Sequence, residues 1–500
     1  MDTEVELKYL VLAQDVEAKI TSLLTTENLS FEKNTKLLSN CYFDTADLKL
    51  RKKDYGLRVR GCNNQLEQTI KTAGVVVGGL HQRPEYNVDI TQPFPELSLF
   101  PADIWIDENE TAQLQQQLIA LFDTDFKRII WLVKFKESTI ELAFDQGTIS
   151  SDGRTIEIAE IELELVTGAV DAIFELAKLL FKPLLLRPGI RSKAARGYQL
   201  WHNNTPEAHH INLQISANVN TNTLTSYFNQ GIEHCLQQLH LSVDNYIHQP
   251  SYLHLADLVD VLVMLRHGFW LADLHLTDHG RKLRDELSYF IQLFAWLDNA
   301  IYLQELMNKT GNYRKKLELS EQLIAQLRIE KQRFPETDHV IELMHSERFN
   351  QLQLSLLELI VLPSEQTFSP LMNTIDYHQY AREKLSVSLQ ELTSALPDTP
   401  LNIEQYLALR KLLRRSLLTG SWFGHLFNQQ LRDQFRLPWL DIQQGLSELQ
   451  SLSILHQQLE RVEEAPVKLV KWHQSKLDNL MTALEHSKQS AMTQQPYWEE

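Results

Sequence analysis

Five hundred residues with 43% hydrophobic and 23% charged side chains describe globular material in more than one domain and exclude a disordered or fibrous chain. A net charge of −17 argues against a nucleic-acid binder, which gains affinity from clustered Lys and Arg. The opening MDTEVELKYL lacks the pattern of a secretory leader, no apolar run reaches the roughly 18 residues a membrane helix needs, and Cys41, Cys62 and Cys235 are scattered packing thiols, so a soluble cytoplasmic protein without a membrane partner is expected.

Up to about residue 200 the chain alternates with period two between turn residues, and ten of its 17 glycines lie there. The predicted strands are, in order, 4–10, 40–44, 55–61, 65–72, 83–90, 128–136, 138–145, 147–150 and 154–166. Helices are predicted at 16–26, 113–122 and 169–181. The polar stretch HNNTPEAHH marks a boundary, with one domain over 1–203 and a second over 212–495. Beyond it, apolar residues recur at helical spacing, as in Ile232, Leu236, Leu239 and Val243 or Leu352, Leu356, Leu359 and Ile360. Pro250, Pro335, Pro363, Pro397, Pro438 and Pro466 are expected to divide this all-helical half into hairpin-length segments.

Charge placement carries the chemistry. Glu4, Glu6 and Lys8 alternate on one strand and so project from one face, as do Glu160, Glu162 and Glu164 in AEIELELV. On a surface strand either row is merely solvated. Two acidic rows in one sheet repel, however, and a hard divalent cation such as Mg²⁺ or Mn²⁺ between them removes the repulsion. Arg58 and Arg60 alternate in GLRVRG, and Lys71, Arg83, Arg128 and Lys193 sit in or beside strands or turns. Taken one at a time each is a surface charge. Together with the carboxylates they predict a polar interior enclosed by an antiparallel barrel of about eight strands.

The ordered set Glu4-x-Glu6-x-Lys8, YFDT at 42–45, LRVR at 57–60, TIKT around Lys71, GGLHQRPEYNV at 78–88, EIELEL at 160–165 and SKAARGY at 192–198 resembles the CYTH superfamily of triphosphate tunnel metalloenzymes. The resemblance implies an α+β chain whose eight-stranded antiparallel tunnel, with flanking helices, precedes an all-α helical bundle. It implies metal-dependent hydrolysis of inorganic triphosphate, with Mg²⁺ or Mn²⁺ bound by Glu4, Glu6, Asp145, Glu160, Glu162 and Glu164. Glu4, Glu6 and Lys8 take the catalytic positions, and Lys8, Arg58, Arg60, Lys71, Arg83, Arg128 and Lys193 bind substrate. Glu85 shares a strand face with Arg83, and Arg196 either supports the site or caps the last segment. Hydrolysis of a nucleoside or thiamine triphosphate, ATP cyclisation, and binding without turnover on a polyphosphate scaffold are the alternatives.

The second half resembles the CHAD domain, a helical fold named for its histidines; 17 of the 18 histidines lie at His202 or later. The resemblance implies polyphosphate as a partner of the helical half. HLADLVDVLVMLR keeps His254 and Arg266 of the family's basic helix but places Asp257 and Asp260 near expected arginines. Arg410, Lys411, Arg414 and Arg415 form a second basic run, without the partner histidine.

Overall fold

Alternation of apolar and polar residues gives a strand two unlike faces, and in the first half these faces find opposite fates. The computed structural model describes residues 2–12, 14–62, 65–105, 108–202, 208–216, 223–308, 313–317, 320–362, 367–462 and 465–499. The strands are β1 (Asp2–Val11), β2 (Ser30–Asp44), β3 (Gly56–Cys62), β4 (Gln65–Lys71), β5 (Val75–Val77), β6 (Leu80–Ile90), β7 (Ile119–Phe135), β8 (Ser138–Ser151), β9 (Arg154–Thr167) and β10 (Leu186–Pro188). They form one antiparallel sheet in the order β10-β1-β9-β8-β7-β2-β3-β4-β6-β5, and an additional β1–β6 pairing joins eight of them into a closed ring. Closure gives every ring strand two neighbours, which removes the long free edges that invite aggregation.

The apolar faces are covered by α1 (Val16–Thr26), α4 (Asp171–Leu180) and α5 (Lys193–Trp201), separated along the chain by α2 (Lys49–Lys52) and α3 (Glu108–Gln117). Helix α4 buries Ile173, Phe174, Leu176, Ala177 and Leu180 and packs against β9, whose Ile161 and Leu163 are fully buried. The polar faces of the same strands turn inward, so that Lys8 is 3% exposed and Glu160 0%.

Three local expectations change. The segment expected as a helix over 113–122 stops at Gln117, because from Phe122 to Lys127 burial alternates residue by residue and the backbone pairs with β2. The strand expected at 40–44 begins at Ser30, extended by that same pairing. The break expected at Gln146 is absent, since Gln146 and Gly147 stay in register with both β7 and β9.

The second half is helical: α6 (Leu224–His248), α7 (Tyr252–Leu271), α8 (Asp278–Leu293), α9 (Leu297–Met307), α10 (Arg314–Leu317), α11 (Glu321–Lys331), α12 (Thr337–Met344), α13 (Glu347–Val361), α14 (Tyr377–Ser394), α15 (Ile403–Phe423), α16 (Gln429–Leu459) and α17 (Val467–Met492). Ile232, Leu236, Leu239 and Val243 of α6 are buried, as their spacing requires. Gly231 of α6 and Gly268 of α7 make room for the Trp422 ring of α15; a Cβ on either would stand 2.2 or 2.1 Å from it. Pro250, Pro335 and Pro397 fall between helices and Pro466 precedes α17; Pro363 lies outside the described residues. Pro438 sits inside α16 instead of ending it. Phe435, Trp439 and Ile442 are buried around it, and their packing outweighs the single hydrogen bond that a proline removes.

By contacts the chain divides into two compact units, Met1–Ala208 with Ile341–Glu358, and His209–Val340 with Leu359–Glu500. Among the described residues no helix is long and apolar enough to cross a membrane.

Candidate functional site

Register decides which inward charges meet. On β1 and β9, Glu6 lies opposite Glu164, and Lys8 opposite Glu162. On β8 and β9, Glu141 lies opposite Glu164, and Asp145 opposite Glu160. Glu141, Glu164 and Glu6 therefore form a row of three carboxylates across adjacent strands, an arrangement that is unfavourable unless a cation intervenes. Arg128 of β7 stands opposite Asp145 on one side and Lys36 of β2 on the other.

One group of these charges is internally matched. Arg128 grips Asp145 with two hydrogen bonds of 2.7 and 2.6 Å and also pairs with Glu162. Lys193 reaches Asp145 at 2.6 Å and Glu162 at 2.9 Å and pairs with Glu160, which Arg196 contacts as well. Lys8 adds contacts of 2.9 Å to Glu162, 3.5 Å to Glu160 and 4.0 Å to Glu6. Burial pulls the Lys8 pKa down, but Glu160, Glu162 and Glu6 outweigh it and hold the ammonium well above its ordinary range. Burial likewise opposes ionisation of Glu162, and Lys193, Lys8 and Arg128 reverse that effect and keep it well below the usual carboxylate range. Asp145, Glu160 and Glu162 present oxygens within 4.8 Å of one another, a spacing that suits a metal ion.

Two places are not matched. Burial, together with Glu141 and Glu6, pushes Glu164 up to about 7, with Lys71 opposing and Glu85 adding to the rise. Burial beside the guanidinium groups of Arg58 and Arg128 pulls Arg60 down to about 10. The Arg60 Nε donates to Asn40 Oδ1 at 2.8 Å, a neutral partner that offsets none of the charge. The ring thus holds a row of carboxylates around Glu164, and around Arg60 a group of guanidinium cations that Glu67 faces across the β3–β4 ladder.

Both points line a single cavity of about 870 Å³. It brings together Glu6, Lys8, Arg58, Arg60, Lys71, Arg83, Arg128, Glu162, Glu164 and Lys193 of the sequence-predicted set, with Glu85. Asp145, Glu160 and Arg196 are outside its lining; Asp145 and Glu160 reach it through the Arg128 and Lys193 side chains they bind, and Arg196 holds Glu160 from behind. The Glu4 backbone pairs with Arg83 in the β1–β6 ladder, and its side chain lies outside the described residues. Lys71 pairs with Glu85 at 2.9 Å, Arg58 approaches Glu85 at 3.6 Å, and Arg83 pairs with Asp54 at 3.1 Å. A second hollow of about 970 Å³ beside α1 has Asp15, Glu17 and Lys33 as its charges and nothing comparable to this juxtaposition.

Lys36, His81 and Glu141 also line the cavity and were not anticipated. Glu141 had a signal, since it lies four residues before Asp145 on one strand and so shares its face. Lys36 fell in the part of β2 whose strand was not foreseen. His81 pairs with Glu6 only through ring closure; burial and the nearby Lys8 ammonium lower it to about 4, so it stays neutral.

Two motifs of the sequence pattern have structural tasks. Asp44 of YFDT accepts hydrogen bonds from the backbone N–H groups of Thr45, Leu50 and Arg51, at 2.7 to 2.9 Å, and from the Tyr198 hydroxyl of SKAARGY at 3.2 Å. Ser192 caps α5 by accepting from the Ala195 N–H, which fixes Lys193 in the first turn.

In the helical unit the three arginines of the basic run are paired one by one. Arg410 meets Asp298 at 2.6 Å and Arg414 meets Asp260 at 2.5 Å. Arg415 meets Glu391 at 3.1 Å and stacks 3.7 Å above the Trp270 ring. Arg266 donates to the Ser288 hydroxyl.

Comparison with known proteins finds a match for each half. Residues 2–198 match the CYTH domain and residues 230–460 the CHAD domain. An inorganic triphosphatase of Haemophilus influenzae is 36% identical over 197 residues, which are 39% of this chain and 54% of that protein, so the chain spans about half the length of this curated relative. Among solved structures, a Hippeastrum protein described as an adenylyl cyclase with a dominant triphosphatase activity shares 21% identity, covering 41% of this chain and 100% of its own at a TM-score of 0.31. The CHAD domain of Ricinus communis shares 15%, covering 59% and 98% at a TM-score of 0.40. The closed antiparallel ring is accordingly a CYTH domain, and the helical half that follows it carries a CHAD domain.

Proposed function

We propose that the ring hydrolyses inorganic triphosphate to pyrophosphate and phosphate with the help of a divalent metal ion. The observation that carries this reading is the juxtaposition, in one cavity, of the Glu6–Glu164–Glu141 carboxylate row and the guanidinium groups of Arg58, Arg60 and Arg128. A ligand that is a polyanion at one end and is accompanied by a divalent cation at the other neutralises both.

The donor set fits a hard cation. Glu6, Glu141 and Glu164 offer carboxylate oxygens from three adjacent strands, and the raised Glu164 lacks enough positive charge around it. Glu162 borders that row, and Glu4 precedes Glu6 on the same strand. Asp145 and Glu160 fit the ion less well, because Arg128, Lys193 and Arg196 already occupy their oxygens. A bound Mg²⁺ or Mn²⁺ supplies Lewis-acid polarisation of a phosphoryl oxygen and of an attacking water.

The residues of the chain do the rest. Arg58, Arg60 and Lys36 bind phosphoryl oxygens, and burial makes their attraction stronger than at a surface. Lys8 and Arg128, held by Glu162, face the cavity as fixed cations that need no reorganisation when charge shifts onto the leaving phosphate. A carboxylate of the Glu6–Glu141–Glu164 row that is left free by the ion accepts the proton of the water.

The aromatic side chains support an inorganic substrate over a nucleotide. Of those that line the cavity, Phe126 lies beneath Arg128 and Lys193, and Tyr42 stacks on Phe122 at 4.6 Å, so each is already engaged by a neighbour. The deciding experiment follows phosphate release from inorganic triphosphate, ATP, thiamine triphosphate and long-chain polyphosphate, each with Mg²⁺, Mn²⁺ or a chelator. Preference for inorganic triphosphate that disappears on chelation is expected; full turnover in chelator, or a faster organic substrate, overturns the reading.

A further inference from the structure

Lys8 is held not only by carboxylates but by a backbone strap. Strand β10 pairs with the outer end of β1 in the register Tyr9–Pro188, Leu10–Arg187 and Val11–Leu186. Immediately after it, the Gly189 N–H donates to the Lys8 carbonyl at 2.8 Å. Gly189 lies so close that a Cβ there would stand 2.7 Å from Lys8 Cγ. The strap is three residues of strand and one glycine, too short to hold its own position.

What holds it comes from 164 residues further along the chain. Asn350 of α13, 1% exposed, donates from Nδ2 to the Leu186 carbonyl at 2.6 Å and to its own helix at Ser346 at 2.9 Å. The outer side of the Leu186 peptide therefore has a built partner on one helix. At the far end of the same helix, Glu358 pairs with Lys178 of α4 at 2.5 Å. The segment Ile341–Glu358 folds with the ring and not with the helices that precede and follow it in sequence.

We propose that α13 is a positioning element of the ring, and that Asn350 is a positioning residue which, through Leu186, β10 and Gly189, fixes the Lys8 side chain for the phosphate. The role of Lys8 rests on the proposed function; the role of α13 in ordering the strap does not. A polar side chain that is almost fully buried, spends its donor group on one distant carbonyl and its own helix, and leaves its Oδ1 without a partner among the described residues is costly to retain as mere packing.

The test uses the full-length protein as wild type, Asn350→Ala, Gly189→Ala and the double variant. Hydrogen exchange is read in peptides covering 5–12 and 184–190. In Asn350→Ala, exchange in these peptides is expected to rise by about tenfold, with peptides of β7 and β8 unchanged. The KM for inorganic triphosphate is expected to rise by about tenfold with kcat and the half-saturating Mg²⁺ concentration unmoved, since a residue that only supported folding would lower the active fraction and leave KM alone. Gly189→Ala pushes on Lys8 from the other side of the same strap and is expected to raise KM similarly, and the double variant is expected to do no more than the larger single change. Unchanged exchange in Asn350→Ala overturns the proposal, as does unchanged KM alongside a lowered kcat, or single effects that multiply. If the wild type hydrolyses no triphosphate, the functional reading fails, while the exchange pattern still decides whether α13 orders the strap.

Discussion

Both halves of the chain are acidic in bulk, with 23 basic residues against 30 acidic up to residue 200 and 25 against 35 beyond it, yet they dispose of charge in opposite ways. In the helical half Arg410, Arg414 and Arg415 each find one acidic partner while remaining about a third exposed, and such pairs are worth little energetically. In the ring the charges are turned inward, and two of them, Glu164 beside Glu141 and Glu6 and Arg60 beside Arg58 and Arg128, are buried close to charges of their own sign. Paired surface charge is near its free-energy minimum and has no claim on a ligand. Buried mismatch is a standing cost that a ligand of the right charge removes, and the difference between the halves supports placing the proposed activity in the ring.

The sharpest way to break this comparison is Glu6→Gln. It is expected to lower triphosphate turnover by about two to three orders of magnitude, measured as phosphate release at saturating Mg²⁺, with the circular dichroism of the folded chain unchanged. Equal turnover would remove Glu6 from the site.

Next in size is a matched pair of arginine substitutions. Arg60→Ala is expected to raise the KM for triphosphate by about thirtyfold, near 2 kcal/mol, whereas Arg414→Ala in the helical half is expected to leave it unaltered. A comparable rise for Arg414→Ala would erase the distinction between the halves.

A comparable effect, about 2 kcal/mol at pH 5, belongs to stability. Burial, with Arg415 and Arg266 nearby, lowers His267 to about 3, and its ring nitrogen stays hydrogen-bonded to the Thr419 hydroxyl at 3.0 Å. A histidine whose folded pKa lies below its unfolded one contributes stability that is complete above about 6.5 and is lost as pH falls from there toward 3. Urea titrations at pH 7 and pH 5 are expected to show that loss in the helical half, and His267→Gln is expected to flatten it.

The smallest effect sharpens the comparison from the other side. Glu164→Gln removes a carboxylate whose repulsion the metal-free ring must bear, so the variant is expected to be more stable by on the order of 1 kcal/mol in chelator at pH 8. It should also lose most of the rise in melting temperature that Mg²⁺ or Mn²⁺ gives the wild type. A destabilised variant in chelator would contradict the carboxylate row.

The charged rows along single strands were legible because strand geometry obliges residues two apart to share a face, so that Glu4, Glu6 and Lys8, or Glu160, Glu162 and Glu164, announce themselves. Rows across strands were not. Glu141, Glu164 and Glu6 are separated by more than 20 and by more than 150 positions, and nothing local aligns them; that depends on the β8–β9 and β1–β9 registers. Lys36 and His81 stayed hidden for the same reason, and the helix expected over 113–122 failed because pairing with β2 overrode a locally ambiguous pattern. In the helical half the acidic partners of the basic run are brought to it by helix packing from more than 100 residues away in two of three cases.

By itself, then, the sequence determined the two folding grammars, the boundary region between them, and the residue types that make an interior of carboxylates and cations, because periodicity and charge are local properties. Which carboxylates are matched by lysine and arginine and which are not, and which cations are spent, were decided only by the tertiary structure, because electrostatic matching depends on distances that register and burial set.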